Sequence, residues 1–101
     1  MTQPVPLDPY IADVLMRDLT GHDRSPSAFL VYLWLWRKSR GEGRDRIGAS
    51  LQTIADQTGL SKSAVQAAIR HLTRRQLVTA SRDGPTTAPI YQVLEPWKRG
   101  G

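Results

Sequence analysis

The 101-residue chain is expected to fold as a mainly α protein with a small β-hairpin, an α+β arrangement. Three observations carry that expectation. Apolar side chains recur at helical spacing in four separate segments. The stretch "TIADQTGLSKSAVQAAIRHLTRRQLV" (Thr53 to Val78) places two of those segments on either side of a Gly-Leu-Ser turn. After it the pattern changes to two short β segments around Asp83-Gly84, a hairpin signal.

Residues 1–7 contain two prolines and form a loose arm. Asp8-Pro9 opens the first helix: the carboxylate can accept from orphan N–H groups, and proline suits the first helical position. Ile11, Val14, Leu15 and Leu19 then repeat on one face, the polar side is acidic, and Gly21 is expected to stop the helix. Ser25-Pro26 repeats the start signal for a second helix that runs to Gly41. Phe29, Leu30, Leu33 and Trp36 line one side of it, while Tyr32 and Leu35 turn elsewhere, so more than one surface must cover it. The first helix, the C-terminal segment or a second subunit can do so. "GEGRDR" is a polar loop, and Arg46–Ser50 is a very short strand leading to Ser50, the N-cap of a helix over Leu51–Thr58. Ser61 caps a longer helix through Arg75, and β segments follow at Leu77–Arg82 and Ile90–Leu94.

The helix–turn–helix junction has what two steeply crossing helices need. Ala55 is small where the backbones approach, Gly59 tolerates positive φ, and Ile54, Leu60, Val65, Ala68, Ile69 and Leu72 are apolar plugs. Burying Val65, Ala68 and Leu72 turns Lys62, Ser63, Gln66, Ala67, Arg70 and Arg74 outward. That set can read a major groove: glutamine pairs bidentately with adenine, arginine or lysine with guanine, and alanine meets the thymine methyl. The Ser61 end of the helix adds free N–H groups and a positive dipole end.

Charge agrees. Residues 1–23 hold four aspartates against one arginine, a net −3, and the remainder is +8. Between Gln57 and Arg82 stand Lys62, Arg70, Arg74, Arg75 and Arg82 with no acidic residue. A polyanion is the usual partner of such a segment, and an ordinary solvated face is the alternative.

On these residues the chain resembles winged helix-turn-helix domains of the bacterial transcription-factor type, similar to MarR-like regulators and to phage and plasmid replication-initiator modules. The pattern Ala-x3-Gly-Leu-Ser-x3-Val-x2-Ala-Ile-x2-Leu carries the resemblance, with "TASRDGPTTAPIYQVL" as the hairpin. It implies an N-terminal arm and accessory helix over 1–24, a winged helix-turn-helix domain over 25–95 and a tail over 96–101. It also implies that the Ser61–Arg75 helix is the recognition helix and residues 82–89 the wing. Gln76 departs from the pattern, since many relatives have Gly or Asn there. A left-handed glutamine costs about 1–2 kcal/mol, so a different helix end is expected.

The function expected is sequence-specific double-stranded DNA binding without enzymatic activity, first as a transcriptional regulator. Replication or partition of a mobile element is the second reading, and a protein–protein or RNA-binding winged helix the competing class. Lys62, Ser63, Gln66 and Arg70 belong at the base edges, Ala67 at a thymine methyl, and the helix end capped by Ser61 at a phosphate. Arg74, Arg75 and Arg82 belong at phosphates or the minor groove. Three tryptophans in so short a chain point to further buried contact, and to a homodimer through the first helix and the Ser25–Arg40 helix.

Other chemistry finds no support. With no cysteine, disulfides and thiolate metal sites are excluded. His22 and His71 lack metal-type partners, no serine has an evident base, and no strand-to-helix glycine pattern surrounds Gly41-x-Gly43, so no metal and no cofactor is expected. A small-molecule effector is not indicated. The run Ala28–Trp36 is far shorter than the ~20 residues a membrane span requires, and "MTQPVPLDPY" is no secretory signal. A cytoplasmic protein without a membrane partner is expected.

Overall fold

A computed structural model describes residues 4–85 and 87–98. The N-terminal helix is followed by α1 (Pro26–Lys38), β1 (Arg46–Gly48), α2 (Leu51–Thr58), α3 (Lys62–Arg74), β2 (Val78–Ser81) and β3 (Ile90–Val93). The α+β class and the winged arrangement are as expected. The hairpin, however, belongs to a three-stranded antiparallel sheet in the order β1-β3-β2. Ile47 pairs with Tyr91 and Tyr91 with Ala80, so the short strand before α2 closes the sheet from the other side.

The N-terminal helix is wound unusually wide. Its turns Ile11–Leu15 and Asp18–His22 are π-type, with Met16 N–H bonding the Ile11 carbonyl and Asp23 N–H that of Asp18 at 2.8 Å. The wider turn brings Ile11, Leu15 and Leu19, four residues apart, onto one buried line. Asp8 accepts from Tyr10 N–H at 2.9 Å, as the start signal implies. Gly21 does not end the helix. Arg24 does, in the left-handed region at φ 55°, where it lets Ser25 N–H reach the Leu19 carbonyl at 2.7 Å.

Helix α1 runs through the middle of the molecule and packs against the N-terminal helix, α2, α3 and β3. Most of its apolar surface is therefore covered within one chain. Ala28, Phe29, Val31, Tyr32, Leu35 and Trp36 are buried, whereas Leu30, expected inside, is 43% exposed. Ser25 makes no side-chain cap bond, and α1 ends at Lys38, short of Gly41. Ser39, fully buried, turns the chain: its hydroxyl donates to the Leu35 carbonyl at 2.6 Å and its own carbonyl accepts from Glu42 and Arg44. The left-handed residue of that turn is Gly43, at φ 77°.

The tail is tied to the beginning of the chain. Trp97 stacks on Tyr10 with ring centroids 4.5 Å apart, and its indole donates to Asp8 at 3.2 Å. The Tyr32 hydroxyl donates to the Leu94 carbonyl at 2.8 Å, and the Trp36 indole to Glu95 at 3.2 Å. Two of the three tryptophans thus find partners inside the chain.

The helix-turn-helix is built as its residues require. Ser50 accepts from Thr53 N–H and Ser61 from Ala64 N–H, each at 3.1 Å, and Gly59 is left-handed at φ 80°. Ile54, Val65, Ala68 and Leu72 are buried, while Leu60 and Ile69 are partly covered. Helix α3 ends in a complete Schellman motif: Leu77 N–H bonds the Leu72 carbonyl at 2.9 Å and Gln76 N–H that of Thr73 at 3.0 Å. Gln76 is the left-handed residue, at φ 58°, so the different helix end expected from this residue does not occur. Burial of Leu77 and the two bonds hold the glutamine there despite its intrinsic cost. Gln76→Gly is accordingly expected to stabilise the chain by about 0.5–1 kcal/mol, after allowance for the freer unfolded backbone. A rise of about 5 °C in melting temperature would show it, and a fall would mean that the Gln76 side chain contributes more than its strain removes.

Candidate nucleic-acid interface

Helix α3 is held from below by its apolar plugs and presents its opposite side to solvent. Ser61, Lys62, Ser63, Gln66, Ala67, Arg70 and Arg74 are all exposed on or beside it. In its first turn the exposed Ser61 and Ser63 hydroxyls lie 3.2 Å apart. Beside α3 stands the wing, loop 82–89 between β2 and β3, with Thr86 outside the described residues. Thr87 ties it by accepting from Gly84 N–H and donating to the Gly84 carbonyl, each at 2.9 Å. Arg82 donates to the Pro85 carbonyl at 3.4 Å, an exposed contact that a stronger acceptor can displace.

Between helix and wing runs an open groove of about 400 Å³. Gln66 and Arg70 line it from α3, Arg82 from the wing, and Leu51, Ile69 and Tyr91 are among the apolar residues beside them. Residues separated by 16 positions in the sequence, Gln66 and Arg82, meet there only because β2 returns alongside α3. An apolar floor with two arginines and one amide at its edges can take an anionic backbone while offering hydrogen bonds to base edges.

Arg75 is placed differently from its neighbours. Its guanidinium reaches Asp23 with one nitrogen and Asp18, at 3.0 Å, with another. Asp23, with a side chain 7% exposed, also accepts from His71 Nε2 at 2.7 Å and contacts His22 Nδ1 at 2.9 Å. Burial alone would raise the Asp23 pKa, but the bonds from His22 and His71 and the Arg75 charge outweigh it and hold the carboxyl down at about 2. Sequence reasoning placed Arg75 among the DNA contacts and missed this cluster. The opposed charges of residues 1–23 and of the segment after Gln57 were the available signal.

The depressed pKa has a consequence for acid stability. Because the folded-state value lies below the ordinary 3.8, the cluster stabilises the fold fully above about pH 4 and loses that contribution as pH falls toward 2. The loss is expected to reach about 2 kcal/mol. Acid titration followed by circular dichroism should show a transition in wild type that is blunted in Asp23→Asn; identical acid profiles would sink this assignment.

The larger cavity, about 760 Å³, lies at the other end of α3 and is lined in part by Arg40, Arg75, Glu95 and Lys98. Each of its cations already has an acid partner: Arg40 with Glu95 at 3.4 Å, Arg75 with Asp18, and Lys98 with Asp8 and Glu95 at 3.3 Å. Among the described residues no cluster of His, Asp and Glu could hold a metal, and no helix is long and apolar enough to cross a membrane.

A family model described as a helix-turn-helix domain matches residues 25–78. That is more than half of the chain, which belongs to this family, and its three-stranded sheet makes it a winged helix-turn-helix DNA-binding domain. No curated protein and no solved structure matches the chain. The matched segment ends at Val78, before the wing, and begins after the acidic N-terminal helix.

Proposed function

We propose that the protein binds double-stranded DNA sequence-specifically as a transcriptional regulator, with α3 in the major groove and the wing on the backbone or minor groove. The observation that carries this reading is the groove between α3 and the wing, where Gln66, Arg70 and Arg82 meet over an apolar floor. Lys62, Ser63, Gln66, Ala67 and Arg70 face base edges in this arrangement, Ser61 offers the helix N-terminus to a phosphate, and Arg74 and Arg82 take phosphates. Arg75 is reassigned from the DNA contacts to the fold, because Asp18 and Asp23 occupy its guanidinium.

The homodimer is part of the proposal. Its support is that Leu7, Met16 and Leu30, the exposed large apolar residues among those described, all precede the helix-turn-helix, leaving the DNA face free of them. A two-fold pair of α3 helices would then address half-sites about one DNA turn apart. Sedimentation showing only monomer at tens of micromolar would remove the dimer without touching the DNA reading.

The test of function is fluorescence anisotropy with mixed-sequence duplex DNA over a salt series. Four free cations, Lys62, Arg70, Arg74 and Arg82, should give a log–log slope of about −3 to −4 per bound chain. No binding at low salt would remove the DNA reading and leave a protein partner to be sought. Preference for single-stranded or A-form ligands would shift it to RNA.

A further inference from the structure

We propose that Asp23 and His71 are positioning residues for DNA binding: acting through the imidazole, the segment preceding the family-matched region holds the Arg74 guanidinium in place on the recognition helix. The inference rests on the DNA-binding reading above and adds to it a part for residues outside the matched domain.

Two contacts in series carry it. Asp23 Oδ2 lies 2.7 Å from His71 Nε2, and His71 Nδ1 lies 3.4 Å from an Arg74 Nη atom. A neutral imidazole has one donor and one acceptor nitrogen. The carboxylate can only accept, so the proton sits on Nε2, and Nδ1 keeps the lone pair that Arg74 requires. The wrong tautomer would set two donors against each other at Arg74. Asp23 is itself held firmly: its side chain is nearly buried, Arg75 and His22 bind the same carboxylate, and the left-handed turn at Arg24 closes the helix immediately after it.

The arrangement divides two adjacent arginines between two tasks. Arg75 meets two carboxylates, which neutralise it and dock the N-terminal helix against α3. Arg74 meets an imidazole nitrogen and no carboxylate, so its orientation is restrained while its charge stays available to a phosphate. An immobilised arginine loses the rotamer freedom of a long side chain. Restraining it before DNA arrives removes part of that cost from binding. At 3.4 Å the last contact is weak, so the effect on affinity is a few-fold.

The test is a double-mutant cycle on duplex DNA affinity at fixed salt, with melting temperature recorded for each variant. His71→Phe keeps a planar ring and removes both nitrogens; Asp23→Asn keeps the shape and removes the charge. With Arg74 present, His71→Phe is expected to weaken binding about 3-fold, and in the Arg74→Ala background to change it by less than about 1.5-fold. Asp23→Asn should show the same dependence on Arg74, superimposed on a uniform gain from the lost negative charge. Equal fold-changes in the two backgrounds would overturn the proposal and leave Asp23 and His71 with a part in stability alone. Should Asp23→Asn unfold, the His71→Phe cycle decides by itself. Failure of the wild-type chain to bind duplex DNA would instead overturn the reading beneath, a result that the cycle's additivity cannot imitate.

Discussion

Arg70→Ala is expected to weaken binding to the preferred duplex about 10- to 100-fold and to relax base choice at one position of the site. Arg70 is exposed on α3, lines the groove shared with the wing, and has no acid partner among the described residues. Its guanidinium is therefore free to make a bidentate contact to a guanine, a contact that discriminates by about 1–3 kcal/mol. The check is affinity for a selected site and for its single-base variants. Loss by the same factor on every sequence would move Arg70 to the phosphates, and no loss would remove it from the interface. Arg75→Ala should behave in the opposite way. It is expected to lower the melting temperature through the broken Asp18 and Asp23 contacts while leaving base preference unchanged.

Leu72→Ala is expected to cost about 2–5 kcal/mol of stability, the range for emptying a core site of a leucine. Leu72 is fully buried on the inner face of α3, and its carbonyl also accepts the Leu77 N–H that closes the helix. For a chain of this size such a loss should lower the melting temperature by more than about 10 °C. Circular dichroism melting gives the answer directly. A shift of only a degree or two would mean that α1 and α3 close around the missing atoms, and that the plug is less constrained than its burial implies.

The helix-turn-helix itself was legible because each of its decisions is local. Ser50 and Ser61 cap by bonds that span three residues, and Gly59 turns by its own backbone freedom. Val65, Ala68 and Leu72 declare the inner face by spacing alone, which leaves Lys62, Gln66 and Arg70 outside. Gln76 marks where local reasoning stops. Its intrinsic preference argues against a left-handed turn, yet two Schellman bonds and the burial of Leu77 override it. Gly21 and Gly41 misled for the converse reason: a glycine permits a helix to end without requiring it, and the chain turned at Arg24 and Gly43 instead. Leu30 misled because an apolar side chain on a nearly all-apolar helix has no polar face to contrast with.

What the sequence determined by itself is the helix-turn-helix, its cationic outward face and the existence of two β segments after it. Only the tertiary structure decided which cations remain free. Arg74 and Arg75 are indistinguishable as adjacent letters, but one residue's advance along a helix separates their directions by about 100°. That rotation aims Arg75 at Asp18 and Asp23, 57 and 52 residues earlier, and leaves Arg74 on the open side. Spacing within a helix is set by the geometry of successive residues, whereas charge pairing across such distances depends on how the N-terminal helix packs against α1 and α3.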